Sequence, residues 1–174
     1  MKRPILIHPE SRLRKVADPA AAVDDGLRAL IDDMFETMYD APGVGLAAPQ
    51  VGELTRLVVM DCADLEAGEK PDPVALINPE ILWQSEELRT HYEGCLSIPD
   101  VYADIERPLR VGIRFLDREG QTVERSFDGI AATCVQHEID HLNGKLFIDY
   151  LGPLKRQMIT QKMKKLKRER ARTG

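Results

Sequence analysis

The five residues His137-Glu138-Ile139-Asp140-His141 constrain this chain more than any other segment. On a helix, positions i and i+4 stand on one face about one turn apart. Two imidazoles spaced this way can reach one divalent metal ion, and a glutamate beside the first can exchange a proton with water at that ion. A fold that uses the motif must bring a third ligand from elsewhere, since catalytic sites hold the metal with three protein ligands and keep one position open. The chain has only four histidines, and two fall at this spacing. The plain alternative is an exposed helix face carrying two unrelated histidines.

The candidate third ligands are Cys95, Cys62, Cys134, His91 and several carboxylates. Cys134 lies on the same helix about one turn before His137 and suits a small apolar lining position. Cys62 follows the apolar run Arg56–Met60 and reads as structural. Cys95 sits in Glu93-Gly94-Cys95-Leu96-Ser97, after a glycine that permits close backbone approach. By spacing alone, a thiolate from Cys95 and a carboxylate are equally supported.

Periodicity places the remaining elements. Leu27, Leu30, Ile31, Met34, Phe35 and Met38 fall on one face of a helix over 24–40, capped by Asp24 or Asp25 and ended by Pro42-Gly43. Residues 43–52 read as a small-residue loop, 56–61 as a buried strand, and 61–73 as an exposed loop. Residues 74–77 and 81–92 read as two strands. Alternation across 109–127, with a turn at Asp117–Gly120, predicts a hairpin. A helix over 130–142 carries the histidines, with Asp128 as its cap and Asn143-Gly144 as its left-handed stop. A last helix follows Pro153, its first turns packed by an arc that includes Leu151, Leu154, Met158, Ile159, Met163 and Leu166, with the chain from Lys162 onward projecting. The expected class is α+β: antiparallel sheets packed around a central metal-binding helix, plus a C-terminal helix. At 174 residues, 1–174 reads as one domain.

No apolar stretch approaches the roughly 20 residues of a membrane helix, and Ile5–Ile7 is too short for a signal-peptide core. Three cysteines do not suggest a disulfide framework, so a reducing cytoplasm is expected. Charge is uneven. Residues 155–172 hold nine basic side chains against Glu169 alone, a net of +8 that leaves −13 on the rest of the chain. Such a tail suits either a solvated helix end or an anionic partner.

Three segments together, Gly43–Gln50 (GVGLAAPQ), Glu93–Ser97 (EGCLS) and Gln136–His141 (QHEIDH), resemble the three motifs of the peptide deformylase family, in order and at matching separations. Ile7–Arg14 and Asn143–Phe147 extend the likeness over most of the chain. The resemblance implies hydrolytic removal of the formyl group from the N-terminal formyl-methionine of new polypeptides. It implies Cys95, His137 and His141 as metal ligands, Glu138 as catalytic acid and base, and Gln50 with the Leu96 N–H as oxyanion donors. One divalent ion per chain follows, Fe(II) by resemblance, with Zn, Ni or Co able to take its place. Thiolate and imidazole ligands by themselves suit zinc equally.

Around the substrate the resemblance places Val44, Gly45, Glu93, Gly94, Tyr102, Ile130, Thr133 and Cys134. Val44 and Gly45 would offer backbone to an extended peptide, while Val44, Ile130, Thr133 and Cys134 would form the methionine pocket. Glu93 and Arg107 would pair to hold the EGCLS loop, and Gln136 and Asp140 would orient the ligands. The C-terminal helix is similar to that of bacterial members that dock on the ribosome, and a monomer is expected. The competing readings are a zinc metallopeptidase, whose usual third ligand is a glutamate or histidine, and a catalytically inactive relative acting as a binding module.

Overall fold

A computed structural model describes residues 1–173. The order of elements is a 3-10 turn at Ser11–Arg14, α1 (Asp25–Asp40), β1 (Gly45–Ala47), a 3-10 turn at Ala48–Val51, β2 (Leu57–Met60), β3 (Val74–Gln84), β4 (Leu88–Cys95), β5 (Ile98–Pro108), β6 (Arg110–Leu116), β7 (Thr122–Asp128), α2 (Gly129–Leu142), a 3-10 turn at Phe147–Tyr150, and α3 (Pro153–Thr173). Five strands form one antiparallel sheet in the order β1-β2-β3-β6-β7, and β4 and β5 form a second.

The run Leu57–Met60 is apolar throughout because both faces of its strand are covered. Alternation sends Val58 and Met60 into a cluster with Ala132, Val135 and Ile139 of α2, and Leu57 and Val59 into a cluster with Leu27, Leu30, Ile31, Met34 and Met38 of α1. Asp24 caps α1, its carboxylate accepting from Leu27 N at 2.8 Å. The helix α2 is thus sandwiched between the large sheet and the β4–β5 ribbon, with ten of its fourteen residues buried. That enclosure is what can turn a histidine pair into a site.

Several elements differ from the sequence expectation. The segment 43–52 is not a loop: it holds β1, paired with β2, and a 3-10 turn closed by Gly52 at φ +86°. β3 runs through Pro79 to Gln84. The ladder bulges at Asn78, which takes φ +51° while its side chain bonds both Ala20 N and Ala20 O, pinning the N-terminal segment. A bulge absorbs the proline without ending the strand, and the next strand starts afresh at Leu88. β5 was not legible, because Asp, Pro and Tyr interrupt its alternation, yet it pairs with β4 at Ile98 and again from Tyr102 to Pro108. Asp128 stands before α2 without a capping hydrogen bond, because it is still in the β7 ladder opposite Arg110. Gly144 takes the expected left-handed φ, +74°.

The helix α3 docks by its middle, not its first turns. Ile159, Met163 and Leu166 pack on Ile98, Val101, Ile105 and Phe147, while Leu154 and Met158 are 71% and 64% exposed. His8 braces the same helix: its Nε2 shares a hydrogen bond with Thr160 Oγ1 at 2.8 Å, and its Nδ1 is buried without a partner. Burial, with Arg14, Lys164 and Lys167 nearby, pushes the imidazole pKa down to about 4. The unfolded chain therefore takes up this proton first as pH falls. The stabilisation is complete above about pH 6.5 and lost toward pH 4. Between pH 7 and 4.5 the wild type should lose roughly 5 °C more in Tm than His8→Gln, read by thermal denaturation.

Candidate active site

The Leu96-Ser97 turn between β4 and β5 faces the buried side of α2, and this brings the three separated motifs together. Cys95, His137 and His141 present Sγ and ring nitrogens within 4.8 Å of one another. Cys95 Sγ lies 3.4 Å from His141 Nε2. His137 Nδ1 contacts Glu93 Oε1 at 2.9 Å, which turns its Nε2 toward the same point. A thiolate and two imidazole nitrogens converging from two elements fit a divalent transition-metal ion.

Glu93 is itself held. Arg107 reaches it with Nε at 2.6 Å and Nη2 at 3.1 Å, and turns Nη1 to Asp140 at 2.9 Å. Tyr150 closes the chain by donating to Asp140 at 2.8 Å. The Glu93 and Arg107 side chains are 3% and 4% exposed. The Glu93 carboxylate is thus engaged by both His137 and Arg107. Asp140 acts on the ligands only through Arg107, and Gln136 does not touch them: its amide donates to Pro108 O and Ala132 O.

Glu138 is buried beside the donors. Its Oε1 has no hydrogen-bond partner, and burial pushes its carboxyl pKa up to about 7. Gly45 explains how the carboxylate fits, since a Cβ there would stand 2.7 Å from Glu138 Oε2 and 2.6 Å from Cys134 Sγ. The 3-10 turn after β1 delivers Gln50. Its Oε1 accepts from Ala47 N at 2.9 Å, which fixes the amide's orientation, and its Nε2 donates to Ser97 Oγ at 3.1 Å with Cys95 Sγ 3.6 Å away.

A cavity of about 860 Å³ opens onto these groups. Every residue expected at the site lines it except His141, which is buried behind His137: Val44, Gly45, Gln50, Glu93, Gly94, Cys95, Leu96, Tyr102, Ile130, Thr133, Cys134, His137 and Glu138. Val44 and Tyr102 stand at its open side, and Tyr102 stacks on Tyr92 with ring centroids 5.4 Å apart. Tyr92 was not foreseen, nor was Arg89, whose Nη1 donates to Thr133 Oγ1 at 3.1 Å. That bond turns the threonine hydroxyl to the arginine and leaves its methyl for the pocket. Both residues lie on the irregular strand β4, where sequence periodicity carries little signal.

A family model described as polypeptide deformylase matches residues 2–157. The chain belongs to the polypeptide deformylase family. It is 55% identical to a peptide deformylase of Methylocella silvestris over 94% of this chain and 84% of that relative. The crystal structure of a peptide deformylase from Legionella pneumophila superposes with a TM-score of 0.89 at 48% identity, covering 99% of both chains. That of the Ehrlichia chaffeensis deformylase in complex with actinonin superposes at 0.91 with 40% identity, covering 96% of this chain and 98% of the other. Membership makes the chain a metal-dependent hydrolase that removes N-formyl groups from nascent polypeptides, and sets aside the metallopeptidase reading. No described helix is long and apolar enough to cross a membrane.

Proposed function

We propose that the cavity binds the formyl-methionyl end of a new polypeptide, and that Cys95, His137 and His141 hold one divalent ion there. Fe(II) is the reading carried from the family resemblance, and Zn, Ni or Co suit the same donors. A bound ion supplies positive charge that makes hydroxide available from water near neutral pH. The observation that carries the proposal is the convergence of that donor set with an unpartnered buried carboxylate, Glu138, in one cavity.

The chain's residues divide the work. Glu138 takes the proton of the attacking water and delivers it to the departing amine, one carboxylate serving both steps. As the formyl carbon becomes tetrahedral its oxygen gains charge, and Gln50 Nε2–H and Leu96 N–H donate to it. The backbone of Val44 and Gly45 pairs with the extended peptide. Ile130, the Thr133 methyl and Cys134 enclose the methionine side chain, Gly94 and Tyr102 border the residues that follow, and Glu93 keeps His137 aimed. Formate release from a formyl-methionyl tripeptide, with the acetyl analogue as control, tests the activity; absence of formate from folded, metal-loaded protein rejects it. Gln50→Ala is expected to lower kcat by about 100- to 1,000-fold, read by the same assay, because one oriented donor is lost.

We further propose that α3 binds the ribosome as a monomeric cytoplasmic enzyme's docking element. What supports this is the division of its surface: Ile159, Met163 and Leu166 dock on the body while Lys162, Lys164, Lys165, Arg168, Arg170 and Arg172 face solvent. Truncation would remove core contacts, so the test is reversal of Lys162, Lys164, Lys165 and Arg168 to glutamate. Ribosome co-sedimentation at low salt is expected to be lost, and unchanged co-sedimentation rejects the docking role.

A further inference from the structure

Two thiols outside the donor set meet at one atom. Cys62 follows β2 and places Sγ 3.9 Å from the carbonyl oxygen of Val44, and Cys134 on α2 places its Sγ 3.7 Å from the same oxygen. The same carbonyl accepts from Asp61 N at 2.9 Å. Cys62 packs on the apolar cluster that contains Cys134. The nearby Cys62 thiol, followed by burial, holds the Cys134 thiol well above its ordinary pKa. Two sulfurs gathered on one oxygen are neighbours, and a disulfide requires them to close to roughly 2.05 Å.

We propose that Cys62 and Cys134 form a peroxide-oxidisable dithiol, whose reversible disulfide ties the end of β2 to α2 and weakens substrate binding in the adjoining cavity. Cys62 is only partly buried while Cys134 is 6% exposed, so a hydroperoxide reaches Cys62 first. The Cys62 sulfur attacks the O–O bond, giving a sulfenic acid and, from hydrogen peroxide, one water. The Cys134 sulfur then displaces the hydroxyl, which leaves as a second water with the Cys134 thiol proton. Two thiols lose two electrons and the peroxide gains them; a dithiol reductant reverses the change. The Val44 carbonyl loses both S–H contacts, and the disulfide shifts the Cys134 sulfur that packs against Gly45, where a Cβ would stand 2.6 Å from it. The effect on binding rests on the peptide-pairing role given above to Val44 and Gly45.

The test uses full-length zinc-loaded protein, since zinc does not change oxidation state. It is treated with hydrogen peroxide, alkylated with N-ethylmaleimide, and read by intact mass and peptide mapping. The expected result is two fewer maleimide adducts than in protein alkylated without peroxide, one Cys62–Cys134 linked peptide pair, and full reversal by dithiothreitol. The KM for a formyl-methionyl tripeptide should rise at least threefold in oxidised wild type and stay unchanged in Cys62→Ser after identical treatment. Oxidation that stops at a Cys62 oxyacid, or a linkage through Cys95, overturns the dithiol. A disulfide formed with unchanged KM overturns its coupling to the cavity. The mass readout does not depend on deformylation, so failure of the dithiol and failure of the proposed activity are distinguishable.

Discussion

Replacing Glu138 by alanine is expected to lower formate release by about 10²- to 10⁴-fold while leaving bound metal at one ion per chain. The two effects separate because Glu138 is outside the converging donor set. Its carboxylate is 5% exposed and its Oε1 is unpartnered, a cost to the folded state that only function accounts for. The variant should therefore keep or raise Tm, and Glu138→Gln should behave alike without opening a cavity. Metal content by atomic emission, thermal denaturation and the formate assay check the three parts. A Glu138→Ala protein that deformylates at the wild-type rate rejects the acid–base role, and one that loses its metal shows the residue to be part of the donor set.

Arg107→Met carries the largest expected loss of stability, about 3–5 kcal/mol. The guanidinium makes two contacts to Glu93 and one to Asp140, all at 3.1 Å or less, in a region closed to solvent. Removing it leaves the Glu93 carboxylate buried with only His137 for a partner. The uncompensated charge is the source of the loss, since a buried pair replaced as a whole by apolar groups often costs little. Denaturant titration measures the change. The double variant Arg107→Met with Glu93→Gln is expected to recover part of it, and its remaining deficit in metal affinity would report the loss of the hold on His137. Equal stabilities for wild type and Arg107→Met would show that water reaches Glu93.

The elements that were legible beforehand are those whose signal is local. The α1 stripe, its Asp24 cap, the 109–127 hairpin and the α2 histidine pair each follow from spacing within one element, and the structure has them where periodicity put them. The bulged β3, the irregular β4–β5 ribbon and the short β1 were misread or missed, because their backbones are held by partners distant in sequence. Asn78 bonding Ala20 across the fold is one such partner, and Gln50 braced on Ala47 and Ser97 is another. The tail shows the same division. Its basic character is a property of composition, whereas the choice of Ile159, Met163 and Leu166 over Leu154 and Met158 as its docking face belongs to the surface it meets.

The sequence by itself determined that two imidazoles would share a helix face, because a 3.6-residue period allows no other arrangement once the helix forms. Spacing alone left Cys95 level with a carboxylate as third ligand. The tertiary structure separates the candidates by distance. The β4–β5 turn carries Cys95 Sγ to 3.4 Å from His141, while Cys62 and Cys134 gather instead on the carbonyl of Val44. Ligand choice is a matter of ångströms between residues tens of positions apart, and only packing sets such distances.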